Sequence, residues 1–164
     1  MFYHPKHIAN FFIRKGIEEN NHLNPMQVIK MTYIAHGWYL AFTDKPLINE
    51  LVEAWKFGPV IYSLYHILKR YYDNPITQEI KVDIPSYEAF KQDSETQRFL
   101  GSIWDKYKKY SGYQLSILTH AQNTPWQETI KPYELTGYLP SNLIINNDLI
   151  KRYYKEKLKA VSQK

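Results

Sequence analysis

The groups in this 164-residue chain with titratable or nucleophilic chemistry include six histidines, sixteen acids and no cysteine. His120 is the histidine best placed to react. It closes the run LSILTH and precedes AQNTPW, at the junction of two short predicted helices, where an imidazole can serve as a general base. Ser116, four residues earlier, is a possible hydroxyl partner. No nucleophile motif surrounds the pair, so a ring bonding an orphan backbone group explains His120 with fewer parts. His4 and His7 have the i, i+3 spacing of a shared metal site. No third ligand stands near them, and two surface histidines are the simpler expectation. His36 falls within an apolar run and is expected to be a hydrogen-bonded core residue. His66 is expected to face solvent or a neighbour on its own helix. Among the acids, Glu53 opens the stretch EAWKFGPV, where an ion pair with a Lys or Arg is expected before catalysis.

Other chemistries lack their residues. Without cysteine there is no disulfide, no thiolate zinc site and no thiol nucleophile, which fits a reducing cytoplasm. There is no HExxH, no paired-Asp metal motif and no glycine-rich phosphate loop, and six glycines are few for a backbone phosphate cradle. No catalytic, cofactor-binding or metal-binding residue is assigned, and a non-enzymatic binding module is expected.

The net charge is +5, but Asp148 to Lys164 alone holds six Lys/Arg against two acids. The rest of the chain is nearly neutral, unlike a nucleic-acid face with cations spread across the fold. Basic and aromatic residues interleave at Lys69-Arg70-Tyr71-Tyr72, Lys106-Tyr107-Lys108-Lys109-Tyr110 and Lys151-Arg152-Tyr153-Tyr154-Lys155. Such clusters can bind single-stranded nucleic acid. Two of the three close a predicted helix, where cations also complement the dipole. Fifteen tyrosines favour protein recognition, because the ring buries area while the hydroxyl stays hydrated. Tyr71, Tyr72, Lys151, Arg152, Tyr153 and Tyr154 are the candidate partner-binding residues.

These residues must be positioned by a few elements. Ile8, Phe11, Phe12 and Ile17 form a helical stripe from Pro5 to about Asn20. Asn24-Pro25 starts a second helix to about Phe42, Asn capping and Pro filling the first position. Val28, Met31, Ile34, Ala35, Trp38 and Leu40 cover more than one of its faces, which predicts the central helix. Glu53 to Lys56 is a short extended piece, with Trp55 expected in the core. Gly58-Pro59 then turns into a third helix, with Pro59 at its first position. Ile80, Val82 and Ile84 alternate with polar residues and predict a strand over 76–84. Ser94 caps a fourth helix to about Tyr110. Short helices over 114–121 and from Trp126, a strand at 143–145 and a basic helix capped by Asn146 or Asn147 complete the chain.

The fold class is therefore α+β and predominantly helical: a single compact domain over 1–164, with about six helices and a small two- to three-stranded antiparallel sheet. A chain of this size buries about 70% of its unfolded surface, so no metal or disulfide staple is needed. The N-terminus lacks a signal-peptide pattern, and Met26 to Phe42 is too polar to span a bilayer. A cytoplasmic location is expected.

Three blocks carry a resemblance. MQVIKMTYIAHGWYLA (26–41), the pair KPL (45–47) with EAWKFGPV (53–60) and Tyr65, and LS…LTH (115–120) with Pro125-Trp126 occur in order. Together they resemble the Panacea family, the SocA-like antitoxin domain, also described in phages as GepA-like. The resemblance covers about residues 5 to 130, with the basic helix and tail at about 147–164 beyond it. It implies a protein-binding antitoxin domain that neutralises a cognate toxin by direct contact, and one relative delivers its toxin to a Clp-type protease. It also marks Trp38, Glu53, Trp55, Gly58, Pro59, Tyr65, Thr119, His120, Pro125 and Trp126 as motif positions, mainly structural. Met26 and Met31 stand where the family usually has leucine. No added DNA-binding domain is expected on either side. A small hydrolase or transferase built on His120, and a nucleic-acid binder built on the Lys/Arg-Tyr clusters, are the alternatives to a toxin-binding module.

Overall fold

The computed structural model describes residues 2–163; Met1 and Lys164, the ends of the expected 1–164 domain, lie outside the described residues. The chain runs α1 (Pro5–Glu18), α2 (Pro25–Thr43), β1 (Val52–Trp55), β2 (Gly58–Val60), α3 (Tyr62–Leu68), a 3-10 turn (Lys69–Tyr71) and α4 (Ile84–Gln92). It continues through α5 (Ser94–Tyr107), α6 (Gly112–His120), α7 (Pro125–Ile130), a second 3-10 turn (Lys131–Tyr133), β3 (Ile144–Ile145) and α8 (Asn147–Ser162). The class is α+β and mostly helical. No described helix is long and apolar enough to cross a membrane.

Helix α2 is the axis. Asn24 accepts from the Gln27 N–H while the Gln27 side chain accepts from the Asn24 N–H, a complete capping box beside Pro25. Its residues are buried nearly all round, because α8, α6, α1 and α5 all pack against it. The three strands lie in the order β2-β1-β3, all antiparallel, with Glu53 opposite Val60 and Val52 opposite Ile145.

Four sequence-based expectations are corrected. Residues 76–84 form no strand. Ile76 and Ile80 are buried as the alternation implied, but the buried Asn10 amide supplies the pairing. Asn10 Nδ2 donates to Ile80 O at 2.8 Å, and Ile80 N–H donates to Asn10 Oδ1 at 2.7 Å, as a neighbouring strand would. Asp83 then caps α4 with Pro85 in its first turn, a helix start that the alternating pattern obscured. Pro59 lies in β2 and not at the start of α3; a proline is tolerated there because β2 is an edge strand. Ser94 is the first residue of α5, and Asp93 is its cap. His7 is not a surface histidine: it is 5% exposed, with its ring 5.4 Å from Tyr87 and 5.7 Å from Phe90, while His4 caps α1. Among the described residues no three His, Asp or Glu side chains are grouped to hold a metal.

Candidate functional site: a locked hairpin beside a groove

The motif blocks meet at the β1–β2 hairpin. Strand β1 ends at Trp55, β2 begins at Gly58, and Lys56-Phe57 form the tip. Gly58 has φ +109°, and a β-carbon there would lie 2.9 Å from Lys30 Nζ and 3.3 Å from His120 Cβ. Both conformation and space demand glycine.

Three carbonyls of this hairpin, those of Trp55, Phe57 and Pro59, accept from side chains of other blocks. Trp126 Nε1 donates to Trp55 O at 2.7 Å. Lys30 Nζ donates to Phe57 O and to Pro59 O, both at 2.9 Å. Ser116 Oγ also donates to Phe57 O at 2.9 Å. The donors come from α2 and, much later in the chain, from the consecutive helices α6 and α7. Thr119 bonds back to Leu115 O and Ser116 O within α6. Trp38 donates its indole N–H to Tyr107 OH at 2.9 Å, tying α2 to α5. Pro125 is buried in the first turn of α7.

Lys30 is the residue that sequence reasoning missed. It is 2% exposed, and its two carbonyl acceptors favour the ammonium, while burial pushes its pKa down to about 7. The available signal was a lysine inside a helix apolar on every side, which must find acceptors when buried.

The other candidates fall as follows. Among the described residues Glu53 pairs with no cation, in place of the ion pair expected; it accepts from Trp55 Nε1 at 2.7 Å. Trp55 is half-buried, short of the core position expected, and meets the Tyr65 ring edge-on at 4.7 Å. His120 packs on Trp126 at 5.4 Å, with Nδ1 3.3 Å from Ser116 Oγ. The Ser116 proton is directed at Phe57 O, so the imidazole is placed to donate to this hydroxyl rather than to deprotonate it. That is positioning geometry, not a nucleophile–base pair.

His36 is the hydrogen-bonded core histidine expected. Leu47 N–H donates to Nδ1 at 3.3 Å, so Nε2 carries the proton and donates to Asn147 Oδ1 at 2.9 Å. Burial lowers its pKa to about 4, keeping the ring neutral.

The basic-aromatic clusters diverge. In α8, Lys151 reaches Asp148 at 3.6 Å and Asp44 at 3.8 Å, and Arg152 reaches Glu128 at 2.8 Å. Tyr153 is half-buried, and Tyr154 is 3% exposed and belongs to the core, which removes it from any accessible partner face. After α3, Tyr71 is half-buried while Tyr72 is 81% exposed, with φ 53° and ψ −118°. Tyr72 lines a groove of about 530 Å³ together with the hairpin tip and the first turns of α2. Phe57 is 61% exposed at that edge.

The three sequence blocks thus meet around one hairpin in a mostly helical domain, with Phe57 and Tyr72 exposed beside it. The family model of the SocA-like antitoxin, Panacea domain, matches residues 28–127, and the chain belongs to that family. It is similar to antitoxin SocA of Caulobacter vibrioides (strain NA1000 / CB15N), with 29% identity over 126 residues. That match covers 73% of this chain and spans 66% of the relative's length. No solved structure matches the chain significantly.

Proposed function

We propose that this chain neutralises a partner toxin by direct contact, and that the hairpin and the groove beside it are the contact face. The observation that carries this reading is the division of labour at the hairpin. Its carbonyls are held by Lys30, Ser116 and Trp126, while Lys56 and Phe57 at the tip remain exposed. A backbone fixed before binding loses little entropy on association, so exposed aromatic side chains there can act as anchors. The family membership and the similarity to an antitoxin support the same direction. The place of action is then the cytoplasm, where a cysteine-free chain has no redox liability.

Co-expression with each protein encoded beside this chain tests the reading. The expected result is rescue of growth from one of them and co-purification with it. Phe57→Ala, which trims an exposed side chain, should weaken both without lowering the melting temperature. Failure of rescue and of co-purification with every neighbouring product would end the proposal. A toxin half-life unchanged by the antitoxin identifies blocking; a shortened one identifies delivery to a protease.

A further inference from the structure

The groove has a composition that selects among partners. Its aliphatic lining includes Met26, Ile29 and Val60, and its aromatic lining is Trp55, Phe57, Tyr65 and Tyr72. Lys56 and Lys69 lie along it, and Arg70 lies with Lys69 in the adjoining depression. None of these three cations makes a salt bridge among the described residues, in contrast to Lys151 and Arg152 of α8. One acid, Asp73, faces them within the groove. Tyr72 keeps a backbone conformation that side chains with a β-carbon rarely adopt, and its ring extends into solvent at the groove's end.

The geometry points to one kind of occupant: an acidic segment of the partner protein carrying a bulky apolar side chain, which enters the groove while its flanking carboxylates meet Lys56, Lys69 and Arg70. This assignment rests on the direct-contact reading above and supplies the chemistry of the toxin segment. Buried apolar anchors give such contacts their lifetime, and unpaired rim cations give them their partner choice and encounter rate. A single-stranded nucleic acid fits less well, because aliphatic side chains interrupt any row of stacking rings and Asp73 would face its phosphates. A second copy laid groove to groove fits less well, because Lys56, Lys69 and Arg70 of each copy would face the same cations.

A labelled peptide with one tryptophan between two runs of three glutamates is the probe, followed by fluorescence anisotropy. The controls replace the tryptophan by glycine, or the glutamates by lysines, and an oligothymidine tests the nucleic-acid outcome. The Trp-Glu peptide should bind, and its affinity should fall as salt rises. The glycine peptide, and the Lys56→Glu/Lys69→Glu protein against the original peptide, should each bind about tenfold more weakly or worse. The lysine peptide should not bind, and the double variant should melt like the parent because both lysines are exposed. Absence of Trp-Glu binding, equal binding of the glycine peptide, or full binding by the double variant overturns the assignment. Tighter binding of oligothymidine that the double variant abolishes also overturns it.

The growth-rescue assay separates this assignment from the one beneath it. If the parent rescues and the double variant rescues equally well, the groove assignment falls and direct neutralisation stands. If the parent rescues from no neighbouring product, direct neutralisation falls whatever the peptide does.

Discussion

The sequence Lys-Arg-Tyr-Tyr occurs twice, at 69–72 and at 151–154, and the two copies end in opposite environments. In the second copy Tyr154 lies in the middle of a 16-residue helix, one turn after buried Ile150. Its ring covers Gly37 of α2, where a β-carbon would stand 2.2 Å from the ring, and it meets Trp38 edge-on at 5.1 Å. In the first copy the helix has already ended at Leu68. The chain tightens into a 3-10 turn, and Tyr72 leaves it at positive φ with its ring in solvent. The cations differ in the same sense, paired with the chain's own acids in α8 and, among the described residues, without an ion pair beside the groove. Four identical letters therefore serve packing in one place and offer a surface in the other. What separates them is whether an ongoing helix presses the fourth residue against a partner with no side chain.

The largest effect should come from truncating the packed copy. Tyr154→Ala should cost about 3–5 kcal/mol, as removal of a large core aromatic does, measured by denaturant unfolding. Tyr72→Ala should stay within about 0.5 kcal/mol of the parent, as surface changes do. Similar losses for the two would erase the contrast.

The α2–α8 seam that holds Tyr154 should also respond to pH through His36, whose Nε2–H is bonded to Asn147. Its folded pKa of about 4 lies below the ordinary 6.5, so between these values the unfolded chain binds the extra proton. Stability contributed by the neutral ring is then complete above about 6.5 and is lost as pH falls toward 4, by about 3 kcal/mol in all. His36→Gln should flatten that part of the melting-temperature profile. An unchanged slope would show that His36 does not govern the seam.

At the other region, Lys30→Met removes the donor to Pro59 O and leaves Phe57 O to Ser116 alone. A loss of about 1–3 kcal/mol is expected, with faster hydrogen exchange in the hairpin amides than in α8. Uniform acceleration across both regions would argue against a local lock. Tyr72→Gly relieves a backbone conformation that glycine adopts freely, and should raise stability by up to about 1 kcal/mol. If the direct-contact proposal holds, the same change should weaken partner binding while stability rises.

Much of the framework could be read from residues and their spacing. The Asn24-Pro25 start, the all-round apolar helix that follows it and the core role of His36 rest on local rules and on counting apolar faces. The strand at 52–55 overlaps the extended piece expected at 53–56, and the strand at 144–145 lies within the one expected at 143–145. The misreading at 76–84 has a definite cause. Alternation reports which side chains are buried, and Ile76 and Ile80 are, but it says nothing about which group satisfies the backbone. Here an asparagine amide 70 residues earlier does so. The site was half legible. Glu53, Trp55, Gly58, Pro59, Ser116, His120 and Trp126 stood out as motif letters, whereas Lys30 and the reason for the set did not.

The sequence by itself determined every helix but α4, the Asn24 cap of the central helix, the absence of thiol chemistry and the family blocks, because each depends on neighbours within a few residues or on composition. Only the tertiary structure decided that Lys30, Ser116 and Trp126 share one hairpin's carbonyls, and that one Lys-Arg-Tyr-Tyr faces inward and the other outward. Hydrogen-bond acceptors and packing partners far apart in the chain are assigned by the closing of the fold, and no local pattern carries that information.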